Sequence, residues 1–372
     1  MLRIALRNLF QNKVRLAIAV GGVALALMLI VALDAVVGGT EARLTAYIDF
    51  SGADIFVAQS GVRNMHMAAS ALPLSVRSQV RAVPGVATVT PVLYLTNVVV
   101  SGENRHLAYV IGLPANAVAG GPWRIVAGKV LPGPREAIID RGVAEQSGIG
   151  IGDTVEILGA DFTVAGLSEG TANLTNSVVF ITRADFARLR GDAATASYIL
   201  VTVMPGQSPE VVARRIEALV HDVTAQTREV FAAQERKVVN DMTTDVITIM
   251  NLVGVLIGMA VMALTVYTAT LARRAEYGVL KALGMRTRQL CGVVLTQALI
   301  SVTVGFLLGV GFTLVLVVIV PYTSLNLFLQ LRSTALLKVG AAAVVITAVS
   351  AILPIWQIAA LDPAMVFRGR MK

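Results

Sequence analysis

Four long apolar stretches are spaced unevenly along this chain. One lies near its start (16–37) and three follow Asp245 (246–272, 290–320 and 335–359), with about two hundred mostly water-compatible residues between. A hydrocarbon core of ~30 Å needs roughly 20 apolar helical residues at ~1.5 Å each. All four stretches are long enough. The first holds only Asp34, near its far end, the second and third hold no charge, and the fourth holds only Lys338, near its start. Soluble core helices seldom run that far uncharged.

The basic residues follow this division. Arg3, Arg7, Lys13 and Arg15 precede the first stretch, Arg273, Arg274, Lys281, Arg286 and Arg288 separate the second from the third, and Arg368, Arg370 and Lys372 follow the fourth. These segments hold 12 basic residues against two acids, Glu276 and Asp362, whereas the rest of the chain has 19 against 21. Short cytoplasmic loops carry such a Lys and Arg excess. The expectation is that both termini and the 273–289 loop are cytoplasmic, with 38–245 outside. The pI near 9.9 then reports topology, and nucleic acid is not an expected partner. The first stretch exceeds a secretory h-region and no AxA-like site follows it, so it reads as an uncleaved anchor. The one cysteine, Cys291, falls within the third stretch, which leaves the outer domain to bury its core without a disulfide.

The expected fold class is four transmembrane α-helices plus a large extracytoplasmic α+β domain of two lobes. Helical spacing in GGTEARLTAYIDF and REVFAAQERKVVNDMTTD extends the first two spans as stalks. Between them GADIFVAQ reads as a strand, SVRSQVRAV as a helix stopped by Pro84 and Gly85, and VATVTPVLYLTNVVV with HLAYVIGL as paired strands around SGEN. SYILVTVM and a helix from Pro209 repeat the theme. The expected lobes are an outer one, built from 49–120 and 195–228, and an inserted one at 121–190.

The 273–289 segment, RRAEYGVLKALGMRTRQ, favours a short helix lying across the membrane face, with Glu276 in its first turn and Gly284 as C-cap. Val279, Leu280 and Leu283 are expected to bury against a neighbour. A simple basic loop is the other reading of the local pattern. Here the chain resembles the MacB and FtsX family of ABC transporter permeases, whose second and third spans are joined by R-x-x-E-[IY]-G-[VI]-L-[KR]-A-[LI]-G. Arg273, Glu276, Gly278, Leu280, Lys281, Ala282, Leu283 and Gly284 carry the match, next to Arg274. Pro354, Asp362, Pro363, Ala364 and Arg368 resemble the family's ending, and the layout of one span, a large outer domain and three more spans covers the whole chain. Gln297 stands where many members carry an acid, and Trp356 and Gln357 stand where many are basic.

The resemblance implies a permease subunit and no enzyme in this chain. The loop would be a coupling helix docking on a separate cytoplasmic ATPase, two copies of each subunit would assemble, and ATP and Mg would belong to the partner. It also implies export of a hydrophobic or amphiphilic substrate from a bacterial inner membrane, with a periplasmic adaptor as a further partner. Within the same family, the alternative is a signal transmitter of FtsX type that activates an outer partner without transport. No GxxxxGK[ST] occurs: Gly128-Lys129 is followed by Val130. An ion-coupled transporter is disfavoured, because the spans hold few charges.

GIGIGD at 148–153 lacks the rest of a dinucleotide loop and reads as a turn before a strand. Gly254 with Gly258, and Gly305 with Gly309, are GxxxG pairs that serve either a dimer seam or packing within one chain. Asp34 either lines a substrate cleft or is hydrated at the outer interface, the favoured reading, and Lys338 is expected to snorkel. Met65, His66 and Met67 are soft ligands of the kind that hold copper or haem iron, but three adjacent ligands seldom converge on one ion, so no metal is expected. His106 and His221 are isolated, and no hydrolytic constellation stands out.

Overall fold

The computed structural model describes residues 13–101, 104–171, 177–320 and 329–360. The expectations placed on 1–12, on most of the 321–334 loop and on Asp362, Pro363, Ala364, Arg368, Arg370 and Lys372 lie outside them. In chain order the structure opens with helices α1 (Lys13–Leu44) and α2 (Ala46–Phe50), strands β1 (Ile55–Gln59) and β2 (Leu72–Pro73), and helix α3 (Ser75–Arg81). Strands β3 (Val86–Ser101), β4 (Asn104–Leu113), β5 (Ile125–Gly128) and β6 (Glu136–Asp140) lead to α4 (Arg141–Ser147), β7 (Thr154–Ile157), β8 (Ala160–Ser168) and β9 (Ser177–Thr182). Then come α5 (Arg183–Arg190), β10 (Thr195–Ala196), β11 (Tyr198–Val203), α6 (Pro209–Leu219) and β12 (Val223–Thr227). The chain continues through α7 (Arg228–Ala272), α8 (Arg274–Ala282), α9 (Thr287–Ile319), α10 (Ser333–Ser350) and α11 (Ile352–Ala359). It divides into two compact units, 40–242 and the remainder.

In the α/β unit, short helices begin and end where local chemistry dictates. Asp140, Thr182 and Ser208 accept backbone N–H groups as N-caps, Pro209 opens α6, and Gly148 and Gly191 end α4 and α5 at φ 66° and 73°. Gly148 thus closes a helix ahead of β7, which makes GIGIGD a turn. Strand β1 lies between β12 and β11. Its Ile55 and Val57 enter a cluster with Val76, Val80 and Ile216, while Phe56 and Ala58 join Tyr198, Leu200 and Phe231 on the opposite face. Covering both faces explains why IFVA is continuously apolar.

The two expected lobes are not separate. Strand β3 pairs with β11 up to Val92 and with β4 from Leu93 onward. Its second half belongs to a path β3–β4–β9–β6–β8–β7 that returns to β3 through Val100 and Glu156. Leu93, Val110, Ile139, Phe162, Val164 and Ile181 cluster among these strands. Residues 93–113 therefore belong with the 121–190 strands, and one 16-residue strand is common to both expected lobes. The apolar run Val92–Leu95 passes straight through the point where the partner of β3 changes, so nothing in the sequence marks it.

In the helical unit the candidate spans are Leu16–Leu44, Thr243–Ala272, Thr287–Ile319 and Ser333–Ala359. The first is 44% buried against 17–28% for the others, which makes α1 the central helix of the four. Its Ala19, Val23, Leu27, Ile30 and Val31 cluster with Met262, Val266, Val294, Val302 and Ile346. The last span, expected as one helix, bends at Ala351 between α10 and α11. Pro354 lacks an N–H and its ring crowds the carbonyl four residues back, which ends the straight run at Ser350.

Candidate functional site: the loop helix and the charges in the spans

Helix α8 is held tightly at both ends. Only Arg273 separates it from α7. At the other end the Gly284 N–H donates to the Lys281 carbonyl at 3.1 Å and the Met285 N–H to that of Leu280 at 3.0 Å, with Gly284 at φ 94°. This is a Schellman closure, and a side chain at Gly284 would be strained there. The Arg286 N–H then donates to Gln289 Oε1 at 2.9 Å, which starts α9.

The two faces of α8 differ in chemistry. Tyr277, 2% exposed, clusters with Leu290 and Ile358, and Leu280 and Met285 pack against the same cluster. Lys281 Nζ reaches the Ala359 carbonyl at 3.5 Å. Opposite lie Glu276, whose side chain is 65% exposed, and the apolar Val279 and Leu283. Of Val279, Leu280 and Leu283, all expected to bury against a neighbour, only Leu280 packs within this chain, and Val279 and Leu283 are exposed on it. At about 100° per residue, 277, 280 and 281 share one face while 276, 279 and 283 share another, and the tyrosine takes the inner one. Leu283 is 80% exposed. Arg273 Nη1 lies 3.6 Å from Glu276, and Arg274, Ala275 and Ala282 are exposed, while Gly278 is buried.

Asp34 is 8% exposed and accepts from Lys338 Nζ at 2.9 Å. Asp34, read as lining a substrate cleft or as hydrated at the outer interface, is joined by this ion pair to α10. A charge in hydrocarbon costs at least ~2.5 kcal/mol on insertion scales, which pairing reduces. Lys338 keeps 63% of its side chain exposed.

The four glycines of the two GxxxG pairs all face neighbouring helices of the same chain. A Cβ on Gly254 or Gly258 would meet Ile30 or Ala26 of α1, with Ile346 of α10 also against Gly258, and one on Gly305 or Gly309 would meet Val23 or the Ala24 carbonyl. Of the two readings, the structure supports packing within the chain.

The soft ligands diverge. Met65 is 5% exposed in the core, Met67 is 68% exposed, and His66 Nδ1 contacts Glu235 Oε1. The other oxygen of this fully buried glutamate accepts the Met65 N–H at 2.7 Å. No group of three or more His, Cys, Asp or Glu able to hold a metal occurs among the described residues. His106 Nε2 bonds Ser147 Oγ at 2.8 Å. Sequence reasoning missed Glu235, because its partners lie about 170 residues earlier. It also missed Tyr277, although an aromatic residue within an otherwise polar turn was a usable signal.

Comparison with known proteins follows this layout. A model of the MacB-like periplasmic core domain matches residues 16–219, and one of the FtsX-like permease C-terminal region matches 248–363. An uncharacterised ABC transporter permease of Mycobacterium bovis is 24% identical over 373 residues, covering 99% of this chain and 100% of that protein. One from Methanocaldococcus jannaschii is 22% identical over 333 residues, 82% of each chain. Among solved structures, the periplasmic region of MacB from Actinobacillus actinomycetemcomitans aligns at 12% identity and TM-score 0.40, covering 50% of this chain and 93% of that one. The extracellular domain of the transporter YknZ from Gram-positive bacteria aligns at 14% and 0.36, covering 47% and 98%. The two family matches together take in most of the α/β unit and most of the four candidate spans, and the chain belongs to the ABC transporter permeases of MacB and FtsX type.

Proposed function

We propose that this permease is the membrane subunit of an ATP-driven exporter, and that a separate cytoplasmic ATPase docks on the outer face of α8. One observation carries the reading: Glu276, Val279 and Leu283 form an exposed face on a helix whose opposite face is anchored by Tyr277 and Leu280. A carboxylate beside two exposed apolar side chains suits a groove with a basic rim. Two copies of each subunit assemble, and the ATPase holds ATP and Mg. The α8 side and both termini face the cytoplasm of a bacterial inner membrane, and the α/β unit lies outside, where a periplasmic adaptor joins it in two-membrane cells.

Movement of α8 is passed through the single residue Arg273 to α7, a continuous helix of 45 residues that is about 67 Å long at ~1.5 Å per residue. Such a lever transmits ATPase closure to the α/β unit and extrudes a hydrophobic or amphiphilic substrate. The same lever serves a signal transmitter that activates an outer cell-wall hydrolase or sensor. The two functions separate in proteoliposomes containing the permease with its co-purified ATPase. Export predicts ATP-dependent loss of an amphiphile and amphiphile-stimulated hydrolysis, both abolished by Glu276→Lys. If hydrolysis ignores every amphiphile offered while Glu276→Lys still uncouples the ATPase, the transmitter reading replaces export.

A further inference from the structure

On the α/β unit, a cavity of about 260 Å³ opens between α3, the first half of β3 and the turn after β4, and its lining includes Arg77, Arg81, Thr88, Thr90, Pro114 and Asn116. Its chemistry is one-sided. No Asp or Glu lines it. Arg77 and Arg81 are four residues apart, so they share one flank of α3, whose Val76 and Val80 are buried on the other. Like charges at that spacing destabilise a helix by a few tenths of a kcal/mol. Neither guanidinium has an ion-pair partner among the described residues.

The charge set against Arg77 is another cation. Burial is the main cause pulling the Arg183 guanidinium below its ordinary pKa, Asp192 opposes it, and Arg77 adds repulsion. Arg183 is itself held by the carbonyls of Ala193 and Thr195 at 3.1 and 2.9 Å. Thr90 is 3% exposed, and its hydroxyl has no hydrogen-bond partner among the described residues. Asn116, whose amide likewise has no protein partner among the described residues, supplies a further donor at the rim.

We propose that this cavity is a binding site for an oxyanion, a phosphate-bearing group held by Arg77 and Arg81 in a cavity that Thr90 also lines. Guanidinium forks pair with phosphate oxygens through two parallel N–H···O bonds, and a bound anion removes the repulsion between the arginines. The volume is below the ~300–1,000 Å³ of sites for drug-sized ligands, which limits the occupant to a small solute or a single headgroup. The site is independent of α8 and of the exporter reading.

The test uses the full-length chain in nanodiscs. In one arm, discs of phosphatidylcholine are titrated calorimetrically with inorganic phosphate at low salt. In the other, hydrogen–deuterium exchange of residues 75–91 is compared between phosphatidylcholine discs and discs containing phosphatidylglycerol. The expected result is saturable binding or protection in at least one arm, weakened tenfold or more by Arg77→Gln with Arg81→Gln and unchanged by Arg214→Gln, an exposed arginine outside the cavity. Thr90→Val keeps both charges and weakens binding by a smaller factor. A response in the phosphate arm identifies a free solute, and one confined to phosphatidylglycerol identifies a lipid headgroup. Absence of a response in both arms, or an equal response in the double variant, overturns the proposal. The double variant removes two exposed like charges, so its thermal midpoint should not fall, which keeps misfolding apart from lost binding.

Discussion

Replacing Glu235 by Ala should loosen the 62–67 segment more than any other single change in the α/β unit away from its strands. The side chain is fully buried and accepts from the Met65 N–H at 2.7 Å and from His66 Nδ1. Truncation leaves the buried Met65 N–H and the part-buried His66 ring without their acceptor, each at about 1–3 kcal/mol, so the local loss is about 4 kcal/mol. Glu235→Gln keeps one acceptor oxygen and should cost about 1–2 kcal/mol. Hydrogen exchange of peptides spanning Val62 to Met67, measured on the full-length protein in detergent, reads this directly. A loss of about 4 kcal/mol accelerates exchange by roughly three orders of magnitude at 1.4 kcal/mol per decade, and Gln234→Ala, one position away and partly exposed, should change it little. If Glu235→Ala accelerates exchange no more than Gln234→Ala, the buried clasp does not hold the segment and the reasoning fails.

Burial raises the folded-state pKa of Tyr47, Tyr94 and Tyr198 above the ordinary 10.0. Their contribution to stability is full below that value and is lost as pH rises beyond it, because the unfolded phenols ionise first. Denaturation curves should therefore be flat up to about pH 10 and fall above it, less steeply in Tyr94→Phe with Tyr198→Phe. Tyr47 Oη is buried with no hydrogen-bond partner, so Tyr47→Phe should be neutral or stabilising by up to about 1 kcal/mol in a thermal melt. Asp34→Ala strips Lys338 of its partner and should lower the yield of folded protein in membranes, whereas Asp34→Ala with Lys338→Ala should restore it, as read by fluorescence-detected size exclusion. Gly309→Ala places a methyl 2.8 Å from the Ala24 carbonyl and should cost about 1–3 kcal/mol in detergent unfolding, while Gly311→Ala, with open space around it, should not.

What could be read from residues alone follows the range of the forces involved. The four spans were legible because bilayer length acts on consecutive residues, and the α8 C-cap because Gly284 is a local backbone requirement. The face of α8 that turns inward was not, since Tyr277, Val279, Leu280 and Leu283 are all apolar enough for either side and the choice rests on Leu290 and Ile358. Asp34 and Lys338 are separated by 304 positions, and each was read as a lone charge because no sequence spacing reports such a pair. The exchange of partners along β3 was hidden for a similar reason, since a run of strand-favouring residues such as Val92–Leu95 does not report which strand lies beside it.

The central claim, that the outer face of α8 meets an ATPase, is tested most directly by site-specific photocrosslinking in native membranes. A photoreactive residue at Leu283, 80% exposed, is compared with one at Tyr277, 2% exposed, and crosslinked partners are identified by mass spectrometry. The account predicts an ATPase adduct from position 283, abolished by Glu276→Lys, and only crosslinks within the permease from position 277. An ATPase captured equally from both positions, or from neither while it still co-purifies with the permease, would place the docking surface elsewhere and contradict the account.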